Sequence, residues 1–126
     1  MPDSDSAKPV HVAVVDDDSG VLDAVQLVLE TEGWAVSTFP NGEDFLASLN
    51  SDAPDCLILD PHLPGLNGAE VIHAVSRSGR SIPTICLSAR PDTPIAREVL
   101  ANGAQAVLTK PVKAENLVGV VRDLLA

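Results

Sequence analysis

The chain is 126 residues long, 45% hydrophobic, and carries 18 acidic against 8 basic residues for a formal net charge of −10. That length suits one domain with a real core and leaves no room for a second, the hydrophobic content argues against disorder, and no apolar run approaches the roughly 20 residues of a membrane span. Acidity combined with only three aromatic residues, Trp34, Phe39 and Phe45, argues against direct nucleic-acid binding, which needs clustered Lys and Arg and stacking faces.

The charge is unevenly placed. Residues 1–60 hold thirteen acids and one base, Lys8, whereas residues 61–126 hold five acids and seven bases. Most of the acids read as solubilising surface. Cys56 and Cys86 sit inside apolar runs, with no CxxC and no Cys/His cluster at zinc spacing. They read as small buried hydrophobes, and a reducing cytoplasm is the expected compartment.

Met1–Pro9 is polar, has no period and lacks the basic and apolar regions of a signal peptide. It reads as a flexible lead-in, with residues 10–126 forming one domain. Val10–Val15 is the first strand-length apolar run. Val21, Val25, Val28 and Leu29 then fall on one helical face, with Ser19 as candidate N-cap and Gly33 as the stop. Trp34–Phe39 is the second strand, Asn41-Gly42 a turn, and about Glu43 to Leu49 a short helix. Cys56–Leu59 is the third strand, continuously apolar as strands covered on both faces are. Leu66 to Val75 reads as the third helix, with Val71, Ala74 and Val75 inward. Ile82–Leu87 is the fourth strand, after which Asp92-Thr93-Pro94 caps a helix that runs to Asn102-Gly103. Ala106–Leu108 is the fifth strand, and Leu117, Val120, Val121, Leu124 and Leu125 repeat at helical spacing to the end. Five βα units predict an α/β, flavodoxin-like, doubly wound sandwich around a parallel sheet of order 2-1-3-4-5.

In such a fold, ligands bind at the carboxyl ends of the strands, at the switch point between strands 1 and 3. Strand 1 ends in Asp16-Asp17-Asp18, strand 3 in Asp60, strand 4 in Ser88 and strand 5 in Thr109-Lys110-Pro111. Several carboxylates therefore crowd one crevice, and like charges held close destabilise the fold unless a cation intervenes. Hard oxygen ligands with room for water suit Mg²⁺. Asp18 and Ser19 are natural caps of the helix that follows, whereas Asp60 begins a turn, because Pro61 comes next. Lys110 adds a fixed positive charge nearby.

Five segments, in order and at the right spacing, make the chain from about Val10 to Ala126 resemble the receiver domains of two-component response regulators. They are Val-Ala-Val-Val-Asp-Asp-Asp, Leu-Ile-Leu-Asp-Pro-His-Leu-Pro-Gly-Leu-Asn-Gly, Cys-Leu-Ser-Ala, Asn-Gly-Ala and Leu-Thr-Lys-Pro. The resemblance implies that Asp60 is the phosphoacceptor. Asp17 is implied as a direct Mg²⁺ ligand, Asp16 as one acting mainly through water, and His62 as offering its backbone carbonyl to the metal. Ser88 and Lys110 are the implied catalytic hydroxyl and lysine, and Lys110-Pro111 is expected to be a cis peptide bond. Asp60 would take a phosphoryl group from the phosphohistidine of a sensor histidine kinase or phosphotransfer protein. The surface of the fourth helix, fifth strand and fifth helix, which includes Arg97, would then change to regulate an output domain or partner, or to form a homodimer. The ending Leu124-Leu125-Ala126 fits either a stand-alone receiver or one followed by an effector domain.

Three positions depart from the family pattern. Pro61 follows the phosphoacceptor, removing an N–H and fixing φ, which predicts slower or altered phosphorylation. Val107 stands at the switch position where an aromatic ring is usual, and a Val cannot swing as a ring does, so either the signal travels by backbone shifts or the switch is muted. Val112 replaces a frequent Phe as a packing change. Arg90 and His62 flank the site, where the family tunes phosphoryl lifetime, and His11 and His73 carry no assigned role. Two other readings are a receiver-like module that binds protein without phosphate and a haloacid dehalogenase-type phosphohydrolase with Asp16-Asp17-Asp18 as its first motif. The second needs a late acidic pair, and only Glu115 and Asp123 follow Lys110.

Overall fold

Short apolar runs covered on both faces become strands of a parallel sheet, and the amphipathic stretches between them become its crossovers. The computed structural model describes residues 9–126, so the lead-in expected over Met1–Pro9 lies outside the described residues except for Pro9. The strands are β1 (His11–Val15), β2 (Ala35–Phe39), β3 (Cys56–Leu59), β4 (Thr84–Ser88) and β5 (Ala106–Thr109), and the helices are α1 (Ser19–Glu30), α2 (Gly42–Ser48), α3 (Gly68–Arg77), α4 (Pro94–Ala101) and α5 (Ala114–Leu125). The sheet is five-stranded and parallel with the expected order, β2-β1-β3-β4-β5.

The period of two along each strand divides the core. Val12 and Val14, with Cys56 and Ile58, face α1 and α5, where Leu29, Leu117 and Val121 are fully buried. Ala13 and Val15, with Leu57 and Leu59, face α2, α3 and α4, against Phe45, Val71 and Val99. Cys56 and Cys86 belong to opposite halves and are free thiols. Burial pushes Cys56 up to about 12 and Cys86 up to about 11, so both stay protonated and unreactive near neutrality. Among the described residues, no helix is long and apolar enough to cross a membrane.

Local chemistry moves some expected boundaries. Asp18, not Ser19, is the N-cap of α1: its Oδ1 accepts from the N–H groups of Gly20 and Val21, and Ser19 is the first helical residue. The helix stops at Glu30, and Gly33 completes the following turn with a φ of 85°. Helix α3 begins at Gly68 rather than Leu66 because Asn67 and Glu70 form a reciprocal capping box that leaves Leu66 in the loop. In α5, Val118 is buried and Val120 only half-buried. Thr93 caps α4 with Pro94 in its first turn, as its sequence predicts.

The close seating of α3 matters for the site. Gly68 N–H donates to the Pro61 carbonyl at 3.0 Å, and a Cβ on Gly68 would lie 2.6 Å from Pro61 Cα and 3.1 Å from the Asp60 carbonyl oxygen. Backbone cannot yield as a flexible side chain does. Gly68→Ala is therefore expected to destabilise the domain by about 1–3 kcal/mol, read as a lower urea midpoint at unchanged slope; an unchanged midpoint would contradict the packing described.

Candidate functional site

Strand register brings the polar residues together. Val15 pairs with Leu59 across β1 and β3, and the Asp60 N–H donates to the Val15 carbonyl, so Asp16 and Asp60 leave neighbouring strands side by side. Ser88 pairs with Thr109 across β4 and β5, and the Lys110 N–H donates to the Ser88 carbonyl. All four residues named at strand ends thus meet at one edge of the sheet. Asp16, Asp60 and Ser88 are buried, with Thr84 the other buried polar residue among those described, while Asp17 is exposed at the rim.

Lys110 binds both buried carboxylates at once. Its Nζ lies 2.6 Å from Asp16 Oδ2 and 2.7 Å from Asp60 Oδ2. The remaining oxygens take backbone donors: the Asp18 N–H donates to Asp16 Oδ1 at 2.9 Å, and the His62 N–H to Asp60 Oδ1 at 2.7 Å. Asp16, Asp17 and Asp60 each place a carboxylate oxygen within 4.8 Å of the other two. Three hard oxygen donors around one point, one of them facing solvent, match a small divalent cation that keeps several waters.

The charges are not at ease without such a cation. Desolvation raises the pKa of Asp16 above 3.8, a push that outweighs the hydrogen bonds from Lys110 and the Asp18 N–H and is reinforced by the Asp60 charge. Desolvation also acts on Lys110, pulling it down, but its bonds to Asp16 and Asp60 prevail and hold it above 10.5.

A second layer of bonds surrounds Ser88. Its Oγ accepts from the Arg90 N–H at 2.9 Å and lies 3.4 Å from His62 Nδ1, while His62 Nε2 lies 2.7 Å from Thr93 Oγ1. Sequence reasoning treated Thr93 as a cap and His62 as a flanking residue that lends its backbone carbonyl to the metal; nothing in either motif signalled that the two side chains meet. Lys110-Pro111 is a cis peptide bond. Val107 is half-buried and packs against the core beneath α2, α3 and α4. His73 is exposed on α3, and His11 bonds to Ser37 at the opposite edge of the sheet.

Comparison with known proteins agrees with this geometry. Residues 12–122 match the family model of the response regulator receiver domain. The transcriptional regulatory protein CseB of Streptomyces coelicolor is 39% identical over 119 residues, covering 94% of this chain and 50% of CseB. A receiver domain solved in its BeF3-activated form, DrrB, superposes with a TM-score of 0.83 at 30% identity, covering 94% of this chain and 98% of that one. A CheY-like receiver domain protein from Methanospirillum hungatei JF-1 gives 0.84 at 26% identity, with 94% of both chains covered. The chain belongs to the response regulator receiver family, the phosphoacceptor signalling domains of two-component systems. It spans about half the length of the curated relatives it matches. The phosphohydrolase reading is thereby set aside: a receiver is not a turnover enzyme, and Glu115 and Asp123 are exposed on α5.

The burden on Asp16 fixes a pH dependence. Folding raises its pKa, so its contribution to stability is fully present below pH 3.8 and is lost as pH rises through the raised value. Lys110, also raised, contributes below 10.5 and loses that contribution as pH rises through its folded value. Without divalent cations, Asp16→Asn is expected to raise the thermal midpoint at pH 7, with a gain that shrinks as pH falls toward 3.8. A lower midpoint at neutral pH would contradict this account.

Proposed function

We propose that Asp60 is the phosphoacceptor of this domain, with Lys110, Ser88 and the acidic pair Asp16 and Asp17 as its machinery. The observation that carries the reading is the Asp60 carboxylate, held by the Lys110 ammonium on one oxygen and the His62 N–H on the other, beside two further carboxylates. Bound Mg²⁺ would neutralise negative charge as the phosphoryl group arrives. Asp16, Asp17 and Asp60, with the His62 backbone carbonyl, would hold it.

The residues of the chain do the rest. Asp60 forms a P–O bond as the P–N bond to a donor histidine breaks, giving an aspartyl phosphate and a free imidazole on the donor. Lys110 is placed to move from bridging two carboxylates to neutralising phosphoryl oxygens. Ser88, buried beside the site, can donate its hydroxyl to the same oxygens. The donor is a sensor histidine kinase or phosphotransfer protein. The response is a changed surface over α4, β5 and α5 that regulates an output domain, a partner protein or a second copy of the chain, in the cytoplasm. The relatives' greater length and CseB's description as a transcriptional regulatory protein favour an output domain.

Incubation with acetyl phosphate and Mg²⁺ tests the reading. One acid-resistant, base-labile phosphoryl adduct per chain is expected, absent in Asp60→Asn and after chelation of Mg²⁺. Lys110→Met is expected to slow adduct formation by about 100-fold, the effect of removing one preorganised charge donor. Failure to form an adduct despite intact metal binding would favour a module that binds partners without phosphate. Pro61 leaves no N–H beside the phosphoacceptor, so Pro61→Leu is expected to speed adduct formation; an unchanged rate would mean that proline has no kinetic role.

A further inference from the structure

The side chain of His62 has no part in the phosphoryl chemistry above, yet it joins two loops. The ring leaves the β3–α3 loop two residues after Asp60 and reaches both Ser88, at the end of β4, and Thr93, the N-cap of α4. Its side chain is 18% exposed, so most of the ring is held in contact with protein.

The directions of these bonds can be worked out from the donors available. Thr93 has one hydroxyl proton, which it donates to the Arg90 carbonyl at 3.2 Å. With that proton on the Arg90 carbonyl, Thr93 Oγ1 accepts from His62 Nε2–H at 2.7 Å in the Nε2-protonated tautomer, as it accepts from the Ala96 N–H at 3.3 Å. A neutral ring with its proton on Nε2 presents a lone pair at Nδ1, which lies 3.4 Å from Ser88 Oγ and 3.8 Å from Asp60 Oδ1. That oxygen already accepts the Arg90 N–H, so its own proton is free to point at Nδ1. The result is a one-way chain from Ser88 through His62 to Thr93 and on to the Arg90 carbonyl.

We propose that His62 is a positioning residue that carries the state of Ser88 to Thr93, the N-cap of α4, in a domain whose Val107 has no ring to swing. The inference rests on the phosphoacceptor reading of Asp60. Phosphorylation places three strong acceptor oxygens near Ser88, which compete for its proton. The Ser88–Nδ1 link, at 3.4 Å, is the longest in the chain and the first to be given up. The ring then loses one of its two side-chain hydrogen bonds, and Thr93, which bonds both Nε2 and the Ala96 N–H, is free to shift. The first turn of α4 responds without any aromatic side chain exchanging buried and exposed positions.

The test compares the chain free and saturated with beryllofluoride and Mg²⁺, reading amide exchange at Ala96 and Arg97 and the nitrogen chemical shifts of the His62 ring. In the wild type, the Nδ1 shift changes on loading, and exchange at Ala96 accelerates by about fivefold, the factor that one hydrogen bond commands. His62→Asn, whose shorter side chain cannot span to Thr93, abolishes the difference between the two states. Thr93→Val does the same, and because it weakens the cap in both states only the difference is read. Thr93→Ser, which keeps the hydroxyl, retains the response. A difference of wild-type size in His62→Asn or Thr93→Val overturns the relay, as does an unchanged Nδ1 shift in the loaded wild type. Failure of the wild type to bind beryllofluoride overturns the phosphoacceptor reading and the relay with it, so the two failures are told apart.

Discussion

Two carboxylates of adjacent parallel strands are forced to share one small volume. Asp16 and Asp60 stand together because Val15 and Leu59, the residues before them, are paired in the sheet, and that pairing is held by apolar side chains on both faces. Neither acid can move away without disturbing the core. Desolvation and mutual repulsion make the arrangement unfavourable for Asp16, and the Lys110 ammonium offsets it only in part. The domain therefore holds a built-in demand for positive charge at one point of its surface. A fold optimised only for stability would place apolar or singly charged residues there, so the cost is the mark of a functional site.

The surroundings of Asp60 are rigid on one side and adjustable on the other. Toward α3, Gly68 lets a helix start pack directly on the backbone of Asp60 and Pro61. Toward α4, the contacts are side-chain hydrogen bonds among Ser88, His62 and Thr93. Packed backbone has few alternatives at low energy, whereas a hydroxyl can turn and a ring can change partners. Toward α4 the contacts around Asp60 are therefore the ones that can be exchanged at low cost.

Much of this was legible in the sequence, for identifiable reasons. The runs around Val12, Ile58 and Ile85 read as strands because burial on both faces leaves no polar alternation to confuse the period. The site was legible because strand order and strand ends together determine which residues meet, and Asp16, Asp60, Ser88 and Lys110 are all strand-end residues. Errors arose where two neighbouring residues could do the same job. Asp18 and Ser19 are both good caps, and only the backbone geometry selects Asp18. Leu66 fits the apolar period of α3, but the Asn67–Glu70 capping box starts the helix later. The bond between His62 and Thr93, 31 residues apart, could not be read because loop conformation, not periodicity, brings them together.

The sheet also acts as a partition. Every residue of β3 is buried, and its side chains alternate between a half-core under α1 and α5 and another under α2, α3 and α4. The two halves share backbone but few side-chain neighbours, so substitutions in one have effects that add to those in the other. The packing beneath α1 and α5 and the packing beneath α2, α3 and α4 can consequently change independently, while the register that sets Asp16 beside Asp60 stays intact.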